Sequence, residues 1–149
     1  MTDRYSDPDM ASWNAKIMAE FRANHGKVGG VFADVPLLLL TTVGARSGRE
    51  STTPLGYLPD GDRRIIFATN GGQARNPAWY HNLLAQPRVR IEVGTGTGIE
   101  EQVRTASVLT GAERDALWND QESRAPVFAE YKSKTDRLIP VIALAPPDH

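Results

Sequence analysis

Cysteine is absent from the 149 residues of this chain, which excludes a disulfide framework and a thiolate metal centre. Histidine is scarce. His25, His81 and His149 stand far apart, with no pair at ligand spacing, so no zinc or iron site is expected. Long apolar runs are missing as well. The longest, Val35 to Leu40 with Pro36 inside it, falls far short of the ~20 residues that a spanning helix needs. Neither sign of charge dominates: 17 basic and 18 acidic residues leave a net charge of -1. A general nucleic-acid binder would carry a basic excess. The opening "MTDRYSDPDM" has no charged-then-apolar signal pattern. These absences give the expectation of a soluble, cytoplasmic protein that binds no nucleic acid.

What is present suits one globular domain over residues 1–149: 40% hydrophobic and 23% charged residues, without repeats or low-complexity linkers. From Asp9 to Asn24, apolar residues at Met10, Trp13, Ile17, Met18 and Phe21 mark one face of an amphipathic helix that stops near Gly26. Such a helix docks on a core, caps a site as a lid, or touches a membrane surface. "GGVFADVP" reads as a loop, Leu37–Val43 as a buried strand, and Glu50–Leu58 as a second strand whose Pro54 points to an edge or a bulge. "PDGD" turns the chain, so Arg64–Thr69 returns antiparallel. After Gly71 and Gly72, Asn76 is placed to cap a short helix from Pro77 through Ala85.

"RVRIEV" (88–93) and the stretch 99–108 alternate as half-buried strands do. Thr110 with Glu113 has capping-box spacing for a helix to about Glu122. A further helix over 126–132 and a strand over 138–144 complete a chain of about six mostly antiparallel strands. Short turns between such strands point to a closed or partly closed barrel with helices outside.

Two glycine-rich stretches compete as anion cradles. "GTGTG" (94–98) leads into a strand and contains no basic residue. A dinucleotide fingerprint needs a helix there, so a hairpin turn is expected. "GARSGRE" (44–50) differs. Arg46 and Arg49 supply forked cationic donors, Ser47 a hydroxyl, and Gly44 and Gly48 let backbone N–H groups approach a ligand. On local chemistry alone it is either a solvated basic hairpin or an anion cradle.

Three motifs in order, "LLLLTTVGARSGRESTTPLGYLPDGDR", "NGGQARNPAWYHNLLAQPRVRIEV" and "YKSKTDRLIPVIAL", resemble the deazaflavin (coenzyme F420)-dependent nitroreductase and quinone reductase family. The resemblance runs from about residue 36 to 146. It implies a mainly β, split β-barrel fold with packed helices, and a reduced F420 cofactor, a 5-deazaflavin with a phospholactyl and oligoglutamate tail. It further implies a cofactor site. Ala45, Arg46, Ser47, Gly48 and Arg49 would hold the phosphate end, with Leu39 and Thr41 along the same groove. Ile66, Phe67, Ala68, Thr69 and Asn70 would pass the ring edge, and Ala78, Trp79, Tyr80 and Asn82 would complete the site.

Trp13, Phe128 and Tyr131 would face substrate, with Tyr131, Tyr57 or solvent as proton source. Where relatives commonly carry an Arg-Lys pair in the turn, this chain has Ala45 and Arg46. Ser51 stands for an arginine and Asn70 for a lysine; Gly56, Ala125 and Phe128 stand where the nitroreductase type has tyrosines. The implied reaction is hydride transfer to a small-molecule acceptor, a quinone or an α,β-unsaturated carbonyl. An FMN-dependent reductase and a non-catalytic carrier of deazaflavin or lipophilic ligand are the alternatives. Monomer and homodimer both remain open.

Overall fold

The computed structural model describes residues 8–29 and 36–147, with side chains from Ser12 onward; the expected loop at "GGVFADVP" falls mostly outside them. Helix α1 (Pro8–Ala23) precedes strands β1 (Leu37–Val43), β2 (Glu50–Gly56), β3 (Leu58–Asp60) and β4 (Arg63–Phe67). Helix α2 (Ala78–Ala85), strands β5 (Arg88–Gly94) and β6 (Ile99–Leu109), helices α3 (Gly111–Arg124) and α4 (Val127–Ser133), and strand β7 (Val141–Ala145) follow. The strands form one sheet in the order β2-β1-β5-β6-β7-β4-β3, every pair antiparallel.

β2 and β3 lie at opposite ends of that order, yet Tyr57 alone separates them. A residue spans at most ~3.6 Å, so the two edges must meet and the sheet must curl. Tyr57 also donates its N–H to the Pro36 carbonyl at 3.1 Å, extending the β1–β2 ladder by one step. The expected strand over Glu50–Leu58 is thus one extended path shared by two neighbours. It pairs with β1 as far as Gly56 and with β4 from Leu58. Among the described residues seven strands form where about six were expected.

Curling gives every strand an inside and an outside. Leu38 and Leu40 point in, with Ile66, Ile91, Ile142 and Leu144. Leu37 and Leu39 point out, beneath Ile17 and Phe21 of α1. "LLLL" is a continuous apolar run because both of its faces are covered. β4 and β7 repeat the arrangement: Ile65, Phe67, Val141 and Ala143 face outward under Trp118 of α3. α2 sends Trp79 and Leu83 into the inner cluster, so it plugs the barrel rather than lying on its wall.

Three expectations shift for local reasons. α2 begins at Ala78 with Pro77 in the cap position and no side-chain cap bond, because the Asn76 amide oxygen is taken by Arg137 at 2.7 Å. The Thr110 side chain does not cap α3; Glu113 pairs with Arg63 at 3.1 Å instead. β7 starts at Val141 rather than at Leu138, which is exposed. The "GTGTG" turn closes as expected, with Thr95 N–H donating to Gly98 O at 3.0 Å and Gly94 opposite Ile99.

Gly94 has a second role. A Cβ there would collide with the His25 carbonyl oxygen, and one at Gly26 would lie 2.5 Å from Gly94 Cα. α1 is fastened to the end of β5 by this backbone contact and by a bidentate Arg22–Glu92 pair at 3.0 and 2.9 Å. Gly94→Ala is expected to cost about 1–3 kcal/mol in chemical denaturation. Gly98→Ala, where a Cβ meets nothing within 4 Å, should stay within about 0.5 kcal/mol of wild type.

Candidate functional site

Between the β1–β2 turn and the start of α2 lies an open groove of about 650 Å³. The turn is held by its own backbone: Gly44 N–H donates to Arg49 O at 2.7 Å, and Gly48 N–H to Gly44 O at 3.0 Å. Gly48 has φ +72, a left-handed conformation that glycine adopts without strain. At Gly44 a Cβ would strike Ser47 Oγ, and that oxygen accepts from Arg49 N–H at 3.1 Å. Asn82 ties the turn to α2, its Oδ1 accepting from Ala45 N–H at 3.0 Å while its Nδ2 donates to Thr42 Oγ1 at 3.1 Å.

Arg46 and Arg49 line this groove. Among the described residues, no carboxylate lies within ion-pair distance of either guanidinium. Glu50 is the groove's own carboxylate, and Arg90 grips it through two hydrogen bonds of 2.6 and 3.0 Å. Those hydrogen bonds, and then the charge of Arg90, hold the Glu50 carboxyl below its ordinary range. Among the described residues, the acid that lines the groove is therefore neutralised from outside it, and Arg46 and Arg49 are not engaged by a carboxylate.

Of the residues singled out from the sequence, Ala45, Arg46, Ser47, Arg49, Ala78 and Asn82 line the groove together, joined by Ser51 and His81. Gly48 shapes the turn. Thr41 is buried and shares a hydrogen bond with Thr52 at 2.8 Å. The Leu39 side chain lies fully buried beneath α1, since strand alternation turns it away from the groove. Trp79 and Tyr80 pack on the inner cluster. Ile66 and Ala68 are wholly buried, and Phe67 nearly so.

Phe128 stacks edge-on against Phe67 at 5.4 Å and Tyr131 at 5.5 Å between ring centroids, so Phe128 and Tyr131 form a half-buried wall over the outward-facing cluster around Trp118. Tyr57 packs on the inner cluster with the Arg64 guanidinium 5.5 Å from its ring centroid. From Ser51, which lines the groove, to Tyr57 is six extended residues, about 20 Å at ~3.3 Å each. Its phenol therefore does not line the groove. Trp13, on α1, is 41% exposed.

One residue of this region was not singled out. Arg137 inserts its guanidinium under the loop after β4, donating to Ala68 O at 3.1 Å, Thr69 O at 2.9 Å, Gln73 O at 3.0 Å and Asn76 Oδ1 at 2.7 Å. Burial pushes its pKa below the ordinary arginine value, yet four acceptors hold the cation in place. It fixes the Asn70 turn, where Asn70 sits at φ +48 and donates to Arg75 O at 2.9 Å. Asn70 Oδ1 is buried without a donor. In the sequence Arg137 stands beside Asp136 in "DRLIPV", just ahead of an apolar strand, with nothing local to mark its partners.

The family model for F420H(2)-dependent quinone reductase matches residues 13–146. The chain belongs to that family. An F420H(2)-dependent quinone reductase of Mycobacterium tuberculosis (strain ATCC 25618 / H37Rv) is 39% identical over 131 residues, 85% of either chain. A solved structure described as an F420-H2 dependent reductase (FDR-A) shares 38% identity over 73% of this chain and 93% of its own, with TM-score 0.63. Another, described as a domain-swapped dimer, shares 34% identity over 91% and 97%, with TM-score 0.66.

This family member is accordingly an F420H2-dependent reductase with a split-barrel fold, and its cofactor is coenzyme F420; neither FMN nor a carrier role is needed. The residues present fit that cofactor at its anionic end, where the groove offers two cations not engaged by a carboxylate among the described residues.

Removing Arg137 would strand backbone carbonyls, at about 1–3 kcal/mol for each one left buried and unpaired. Arg137→Ala should therefore lower the melting temperature and speed amide exchange across 68–76. Arg137→Lys should rescue little, because one ammonium cannot fork to four separated acceptors.

Proposed function

We propose that the chain transfers a hydride from reduced F420 to a quinone or an α,β-unsaturated carbonyl compound, and that aromatic nitro compounds are poor acceptors. Bound F420H2 supplies the hydride; the chain binds, orients and excludes water. Arg46 and Arg49 are assigned to the phosphate and carboxylates of the tail, by charge-assisted hydrogen bonds on a turn whose backbone is already ordered. Asn82 keeps that turn in register with α2, and Arg137 keeps the 68–76 loop in one conformation.

On the acceptor side the chain presents Phe128 and Tyr131 as an aromatic wall. Gly56, Ala125 and Phe128 offer no phenol. That leaves the Tyr131 hydroxyl, or water, to deliver the proton that completes reduction of a carbonyl or quinone. A flat apolar acceptor gains from such a wall through stacking and area burial. The observation that carries the reading is the pair of guanidiniums on the groove, which no carboxylate engages among the described residues.

The test is to bind reduced F420 to the purified protein and add menadione. Oxidation of the bound cofactor at a rate set by protein concentration is expected. Tight binding without turnover across several quinones and enones would overturn the reaction. In the double variant Arg46→Ala/Arg49→Ala, F420 affinity should fall about tenfold or more at low salt, the effect of ~1.4 kcal/mol, and by less at high salt as the charges are screened. Unchanged affinity would remove the turn from the cofactor site. The relative described as a domain-swapped dimer favours the homodimer over the monomer. Light scattering should then give twice the 16.3 kDa chain mass.

A further inference from the structure

The barrel carries a second cleft, of about 270 Å³, with Tyr57, Arg63, Arg64, Gln102 and Arg104 among its lining and Asp62 as its acid, which the lining cations outnumber. It lies about 20 Å along β2 from the first groove by the strand spacing. Arg64 and Arg104 both donate to one neutral atom, Gln102 Oε1, at 3.1 and 2.6 Å. Among the described residues neither has a carboxylate at ion-pair distance. The adjacent Arg63 shows the contrast: it is neutralised by Asp60 and Glu113.

Arg104 Nε is buried without an acceptor. Burial, and after it the positive charge of Arg64, pushes the Arg104 guanidinium below its ordinary value, against weaker attraction from Glu100 and Asp62. Two like charges drawn to a single amide oxygen are a costly arrangement unless something negative joins them.

We propose that this cleft binds a small oxyanion, a carboxylate or a phosphate, between Arg64 and Arg104. The volume lies below the ~300–1,000 Å³ range of drug-sized ligands, which sets the occupant as a small anion rather than a second nucleotide cofactor. Arg64 belongs to β4, Arg104 to β6, and Tyr57 is the single residue joining β2 to β3. An anion seated there bridges β4 and β6 across β7 beside the seam at Tyr57, so occupancy reads out as stability of the barrel.

The test is thermal unfolding of the full chain in inorganic phosphate or malonate, against sodium chloride at matched ionic strength. A saturable rise in melting temperature with either anion is expected; phosphate alone marks a phosphoryl ligand, malonate alone a carboxylate. Gln102→Glu places a carboxylate between the two arginines. That variant should melt roughly 2–4 °C higher without added anion and lose the response. Arg64→Lys/Arg104→Lys should raise the half-saturating concentration at least about tenfold, the loss of forked geometry at a retained charge. Arg46→Ala/Arg49→Ala should keep the response. The proposal is overturned by no response beyond chloride, by a response that survives Gln102→Glu, or by one that disappears with Arg46 and Arg49.

Discussion

The extended chain from Glu50 to Asp60 gives its first half to β1 and its second half to β4, and the rest of the molecule depends on that division. No sheet can satisfy both pairings while flat, so closure follows from hydrogen bonding along one continuous strand. Closure in turn decides where ligands can go. A barrel of this strand number has an interior that side chains fill, and here Leu38, Leu40, Ile91, Ile142 and Trp79 fill it. Cofactor and acceptor are therefore left to the turns, the barrel ends and the outer wall. The two clefts lie there, one at the β1–β2 turn and one beside the seam at Tyr57.

The strands were legible because their burial leaves a periodic trace. "LLLL" announces two covered faces, "RVRIEV" one, and "PDGD" a tight turn with Gly61 at φ +61. The turn at 44–50 was legible as a local concentration of glycine and arginine. Contacts between distant residues left no such trace. Asn76 reads as a helix cap, but Arg137, 61 positions away, takes its oxygen. Thr110 and Glu113 read as a capping box, but Arg63, 50 positions away, takes the carboxylate. Each local rule failed where a guanidinium from elsewhere offered a stronger, charge-assisted bond. Leu39 failed differently, since its parity along β1 sets it with Leu37 under α1 and not with Leu38 and Leu40.

Net charge hid the placement of the arginines in the same way. A balance of -1 suggests a featureless field, but the balance is not local. Arg22, Arg63, Arg90, Arg114 and Arg124 are each paired with a carboxylate. Arg46, Arg49, Arg64 and Arg104 are not paired so among the described residues. These two pairs of arginines line the two clefts of a chain with a net charge of -1, so a local field that favours anions needs no net positive charge.

The two clefts also differ in what binding must order. In the groove the backbone is fixed by Gly44, Gly48 and Asn82, while the Arg46 and Arg49 side chains are exposed. A ligand there immobilises two long side chains, at about 0.5–1.5 kcal/mol each, and must offset that with several anionic groups at once. A tail carrying a phosphate and repeated carboxylates meets the requirement; a single small anion does not. At the seam, Arg64 and Arg104 are already held by Gln102, so little ordering remains and a small anion suffices. The same residue type, placed on a turn in one case and on paired strands in the other, would thus suit ligands of different size.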